Sequence, residues 1–146
     1  MGAGQGAVAG ARLERLARLF GDRLYVELQR HGTVEEQQAE SEMVSLAYRL
    51  GLPLVATNEA FFPARSDYEA HDALIAIAEG AVIAEEKRRR LTAEHYFKTR
   101  AEMVSLFKDL PEATASTVEI ALRCHYRPVK IKPILPRFAG ADADPA

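Results

Sequence analysis

Two short β-prone runs, Leu24–Leu28 and Pro53–Thr57, are set among helical patterns, and this shortage of strands constrains the fold most. Helix, strand, helix, strand, helix is the rhythm of parallel α/β units, whose crossovers cover both faces of the sheet. Two strands make a very small parallel sheet. The predicted class is therefore α/β, helix-rich and poor in strands, with strands that want neighbours from elsewhere.

The helices are delimited by local chemistry. Leu13, Leu16, Ala17 and Phe20 recur on one helical face, and Gly21 stops that helix. Thr33 with Glu36, Ser66 with Glu69, and Thr99 with Glu102 each have the spacing of a capping box, in which hydroxyl and carboxylate satisfy each other's orphan amides. Behind the first box, Met43, Leu46, Ala47 and Leu50 share a face closed by Gly51. Behind the second, Leu74, Ile77 and Ala78 precede Gly80; behind the third come Met103 and Phe107. Asp109, Pro111 and Glu112 start a last helix, with proline in the first turn where its missing N–H costs nothing. Its apolar side is predicted to hold Ala113, Thr117, Ile120, Ala121 and Cys124, which makes Cys124 a buried, inert thiol. Residues 1–10, nearly all Gly and Ala, are predicted to be mobile, residues 11–126 to form the folded part, and residues 127–146, with Pro128, Pro133 and Pro136, an extended tail.

Composition narrows the function classes. A net charge of −2 gives no overall attraction for nucleic acid, and a single cysteine excludes an intrachain disulfide and a Cys-based zinc centre. No apolar stretch is long enough for a membrane span, so a cytosolic chain without membrane contact is expected.

In α/β folds functional groups collect beyond the carboxyl ends of parallel strands. There Glu27, His31 and Glu59 offer donors for a partial hard-metal site. The simpler alternative, a strand-end carboxylate paired with Arg23 or Arg30, is preferred. His71 and Asp72 are helix neighbours about 100° apart and make no dyad; Asp67, Glu69 and Asp72 suit the positive end of the helix dipole. Lys87, Arg88, Arg89 and Arg90, with His95, Tyr96 and Lys98 nearby, are the one basic cluster with aromatic neighbours and a candidate contact surface, Glu85 and Glu86 notwithstanding. No nucleophilic triad, phosphate-binding glycine loop or acidic pair for two-metal chemistry is evident.

Several strings together resemble one family: FGDRLYVELQRHG from Phe20, GLPLVATNE from Gly51, EAHDALIAI from Glu69, RLTAEHYFK from Arg90, EMVSLFKDLPEA from Glu102 and PILPRF from Pro133. In order and spacing, over about residues 10–138, the sequence resembles the PHP (polymerase and histidinol phosphatase) domain of the bacterial DNA polymerase III α subunit, replicative branch. The resemblance implies the C-terminal portion of a distorted (βα)7 barrel, with the polymerase active site, its Mg and its contact with DNA elsewhere in the parent. It implies a docking role toward the proofreading exonuclease subunit. A severed barrel also invites self-association.

The family's Asn-Asp-x-His ligand motif reads Asn58-Glu59-Ala60-Phe61 here. Glu59 is a degenerate ligand position, and Phe61 replaces the histidine with a ring that cannot bind metal. The expectation is a structural and interaction piece with no cofactor of its own and no catalytic residue. A metal-dependent phosphoesterase or proofreading nuclease is the alternative.

Overall fold

The structure, a computed structural model, describes residues 6–134. The order is α1 (Gly6–Phe20), a 3-10 turn, β1 (Val26–Leu28), α2 (Val34–Leu50), β2 (Leu54–Ala56), a second 3-10 turn, α3 (Tyr68–Glu79), α4 (Arg100–Leu106) and α5 (Pro111–Arg123). β1 and β2 pair in parallel, Val26 opposite Leu54 and Leu28 opposite Ala56, with α2 as the crossover. An isolated parallel bridge joins Phe62 to Tyr96. This is the helix-rich, strand-poor α/β arrangement that the two runs predict.

The core lies where α2, α5 and the α4–α5 junction meet the sheet: Val26, Leu28, Ala47, Leu54, Ala56, Phe107 and Ala113 are buried together. β2 is buried along its whole length, whereas β1 alternates and leaves Glu27 exposed. Two of the predicted boxes form. Thr33 accepts from the Glu36 amide and Thr99 from the Glu102 amide, and each glutamate returns to its cap. Gly51 and Gly80 end their helices in the left-handed region, each at φ 64°, a conformation costly for any residue with a Cβ.

Other expectations are corrected. Ser66 caps nothing: α3 starts later, and Asp67 instead accepts from the Ala64 amide at 3.0 Å. Asp109 does not cap α5, because Arg30 captures its carboxylate and Leu110 takes the cap position. Cys124 lies just past the end of α5 and is exposed. The buried stripe of that helix is Ala113 and Ser116, and Thr117 and Ala121 face outward. On α3 the buried residue is Ala76, while Leu74 and Ile77 are exposed, because the helix turns its Asp72 face toward the following loop. Residues 6–10, expected in a mobile terminus, form the first turns of α1. Ala7, Val8 and Ala9 favour or tolerate helix, and the glycines admit close approach to α2: a Cβ at Gly6 would lie 3.2 Å from the Glu42 carboxylate. Residues 1–5 lie outside the described residues. Of the expected tail, residues 127–134 carry no helix or strand, and residues 135–146 lie outside the described residues. No described helix is long and apolar enough to cross a membrane.

Candidate functional site

The residues after β1 and β2 turn toward the loop between α3 and α4. After β1 comes His31, one of the largest fully buried side chains. Glu36, in the first turn of α2, reaches back to it: the His31 amide donates to Oε2 at 2.7 Å, and the ring Nδ1 lies 2.8 Å from Oε1. The Thr33 amide shares Oε2 at 3.1 Å. One carboxylate thus caps a helix and orients an imidazole. Burial works to raise the Glu36 carboxyl, but the bonds from His31 and Thr33 outweigh it and hold the group below the ordinary glutamate range. Fixing the proton on Nδ1 leaves Nε2 as a lone-pair acceptor, and that nitrogen is buried without a partner.

His95 stacks on His31, ring centroids 3.9 Å apart. Burial, then the neighbouring His31 ring, push the His95 imidazole below its ordinary value. Thr92 ties the two segments by donating its hydroxyl to the His31 carbonyl at 2.6 Å. The chain after β2 is zipped to the same loop: Phe61 N–H donates to His95 O, Phe97 N–H to Phe62 O, and the Asn58 side-chain amide to Tyr96 O. Lys98, itself buried, reaches Asn58 Oδ1 at 3.3 Å.

The proposed metal donors are not assembled. Glu27 accepts a 2.5 Å bond from the Thr57 hydroxyl, not from Arg23 or Arg30, so the expected ion pair is also corrected. Glu59 is exposed. Phe61 lies between His71 and His95, its centroid 5.8 Å from each. His71 Nδ1 is a second buried nitrogen with no partner. Among the described residues no group of three or more His, Cys, Asp or Glu side chains is placed to hold a metal ion. His31 fits the part of a ligand, with a carboxylate-oriented ring and a free nitrogen. The set around it does not, because a benzyl ring has no donor atom.

The basic cluster divides. Arg88 is withdrawn: its side chain is 2% exposed and grips Asp72 with both terminal nitrogens. Arg90 donates to the carbonyls of Ile83 and Glu85 but remains exposed, as do Lys87 and Arg89. Asp72 is held below the usual carboxylate range chiefly by the Arg88 bond. Its role is to anchor this loop, beyond any general preference for a helix start. The pairing of His95 with His31 is not visible in the spacing. The one local signal was Thr92, whose hydroxyl accepts from the Glu94 amide and forms the turn that presents His95.

With this geometry in place, comparison with known proteins is informative. No family model matches the chain. It is 49% identical over 140 residues to the DNA polymerase III subunit alpha of Caulobacter vibrioides, a match covering 96% of this chain and 12% of that protein. It is 41% identical over 136 residues to the Pseudomonas aeruginosa protein of the same name, covering 92% and 12%. For the Escherichia coli K12 protein of that name the identity is 40% over 124 residues, covering 84% and 11%. The chain thus spans only 11–12% of the length of these relatives.

Proposed function

The chain belongs to the bacterial DNA polymerase III α-subunit family, one segment of which it matches, and from that premise we propose that it is a structural and interaction piece of a replicative DNA polymerase. On this reading it forms the C-terminal part of a PHP-type (βα)7 barrel whose metal centre has been lost. Nucleotidyl transfer, its Mg and contact with DNA belong to other parts of the α subunit. The observation that carries the reading is Phe61 between His71 and His95, where the PHP motif calls for a metal-binding imidazole. The segment's contribution is then mechanical. Buried hydrogen bonds and stacked rings hold two strand ends and the α3–α4 loop in one conformation, a rigid platform for the proofreading exonuclease subunit. Lys87, Arg89 and Arg90 offer the exposed cations of that platform, and Arg88 holds the loop in shape.

A second reading, a metal-dependent phosphoesterase or nuclease completed by other segments, is favoured by the unpartnered Nε2 of His31. Elemental analysis of an α subunit carrying this segment separates the two. The platform reading expects His31→Ala and Glu59→Ala to leave metal content and primer extension as they were. Stoichiometric zinc or manganese in the parent, lost in either variant, would establish the second reading instead.

A further inference from the structure

Charge is divided unevenly along this chain. Through Glu119 there are 19 acidic residues and 14 basic ones. Between Glu119 and Asp142 there is no acid at all, while Arg123, Arg127, Lys130, Lys132 and Arg137 follow one another. The net charge of −2 thus averages an acidic body with a basic run, an asymmetry that suits contact with a polyanion. The run is less conspicuous than 87–90 because its cations are spaced rather than adjacent. It is also purer in sign: Glu85, Glu86 and Glu94 stand beside 87–90, and Arg88 is held there by Asp72.

The fold sets this run out as a strap. Arg123 ends α5 and donates to the Asp22 carbonyl at 2.8 Å, the Asp22 carboxylate at 3.0 Å and the Tyr25 hydroxyl at 2.9 Å, which fixes where the strap leaves the body. Among the described residues Arg123 is the last cation in an ion pair. Residues 124–134 carry no helix or strand and are exposed throughout. Pro128 and Pro133 favour extended backbone in themselves and in the residue before each. Alternate residues of an extended chain share a side, roughly 7 Å apart, so Lys130 and Lys132 form a pair on one side. Tyr126, next to Arg127, is 85% exposed and presents an open aromatic face. Spaced cations on extended backbone beside an open ring are the elements with which proteins hold single-stranded nucleic acid, phosphates on the cations and a base on the ring. A duplex keeps its base faces stacked, and an acidic protein surface would leave the ring without a part.

We propose that residues 126–132 bind single-stranded DNA, with phosphates against Arg127, Lys130 and Lys132 and a base stacked on Tyr126. The inference rests on the family reading above, which places the segment in a protein that works on DNA. It adds one contact to those that reading leaves to other parts of the α subunit. The acidic body repels the strand, so the strap is where this segment draws it.

The test titrates a fluorescein-labelled thymidine oligonucleotide with the 146-residue chain and follows anisotropy from about 50 to 200 mM salt. Three phosphate contacts on a single strand predict a slope of log K against log salt of about −2. Arg127→Gln, Lys130→Gln and Lys132→Gln together should weaken binding at least about tenfold and flatten the slope. Lys130→Arg with Lys132→Arg should keep both affinity and slope, which separates lost charge from lost fold. Tyr126→Ala should weaken the single-strand complex about tenfold, keep its slope and leave binding to a duplex unchanged. Undiminished binding in the triple glutamine variant would overturn the proposal, as would an equal effect of Tyr126→Ala on single strand and duplex. Salt-sensitive self-association without DNA binding, abolished in the triple variant, would assign the strap to the acidic body of a second copy and equally overturn it. The family role is read separately, as primer extension by the Caulobacter vibrioides α subunit carrying this segment in place of its own. No DNA binding by the chain, with a graft that extends primers, would overturn the strap and leave the family role standing. Binding with the expected slope, with a graft that fails to extend primers, supports the strap and counts against the proposed function.

Discussion

His31 and His95 lie face to face, with planes 11° from parallel, and relative exposures of 2% and 5%. Burial, and then the adjacent His31 ring, push the His95 imidazole below its ordinary value, which favours its neutral form in the folded chain. In the unfolded chain its imidazole titrates near 6.5, about the unperturbed value. Between its folded value and that figure the unfolded state binds the extra proton. The contribution of this site is therefore intact above about pH 6.5 and is lost as pH falls toward the folded value. Thermal unfolding followed from about pH 7.5 to 5.5 should show falling stability, and His95→Gln should flatten the slope. An unchanged slope in that variant would assign the effect to other groups. Glu36 titrates in a separate, lower window, since its carboxyl is held below 4.5.

Arg30 joins three parts of the fold. Its guanidinium bonds Glu40 of α2 at 2.6 and 2.9 Å, Asp109 at 2.7 Å and the Leu106 carbonyl at 2.7 Å, and it lies 4.5 Å from the centre of the buried Phe107 ring. The Arg30 bond first of all holds the Asp109 carboxyl down to about 2. Because Asp109 is more than half exposed, solvent screens much of that attraction. The larger loss on Arg30→Ala is the packing over Phe107 and an unpaired Glu40. Urea unfolding should register about 2 kcal/mol. Lysine cannot make two forked contacts, so Arg30→Lys should recover less than half of this. Full recovery by lysine would reduce the cluster to a simple point charge.

How much of this was legible depends on how local the cause was. The Thr33–Glu36 and Thr99–Glu102 boxes and the left-handed Gly51 and Gly80 are settled within a turn of chain, and the sequence announces them. Asp109 has the credentials of a cap, yet Arg30, two residues past β1, takes both of its carboxylate oxygens. The inward face of α3 is set in a related way. Asp72 turns inward because Arg88 waits there, and that preference overrides the outward-facing Leu74 and Ile77. At the site, the position of Phe61 was evident from the motif. The stack of His95 on His31 was not, since it comes from the tertiary closure that sets Thr92 against the His31 carbonyl.

Arg88 makes a further prediction about the loop it organises. Besides Asp72, it donates to the carbonyls of Ile83 and Arg89, so one guanidinium fixes several turns of backbone. Arg88→Ala should free the loop without unfolding the core. Limited trypsin digestion should then cut after Lys87 and Arg89 severalfold faster, with the protection of β1 and β2 amides unchanged. A lysine at this position should not restore resistance, because both carboxylate oxygens of Asp72 are engaged. Equal cleavage in all three proteins would show that the loop is held by its backbone alone.

The most direct challenge to the platform reading is to restore what Phe61 lacks. The neighbouring chemistry is partly in place: His31 Nε2 and His71 Nδ1 are buried without partners, and the Phe61 ring is 5.8 Å from the centroids of His71 and His95. If the benzyl ring is what blocks a metal, Phe61→His should raise the affinity of the chain for Co(II) by at least about tenfold. The rise would be read from visible absorption and isothermal titration. Replacing His31 by alanine in that background should abolish the gain, because the imidazole oriented by Glu36 would be gone. In the native chain the same His31 substitution should leave Co(II) binding where it was. Tight native binding that depends on His31 would mean that this imidazole still works as a ligand and that Phe61 never closed the site.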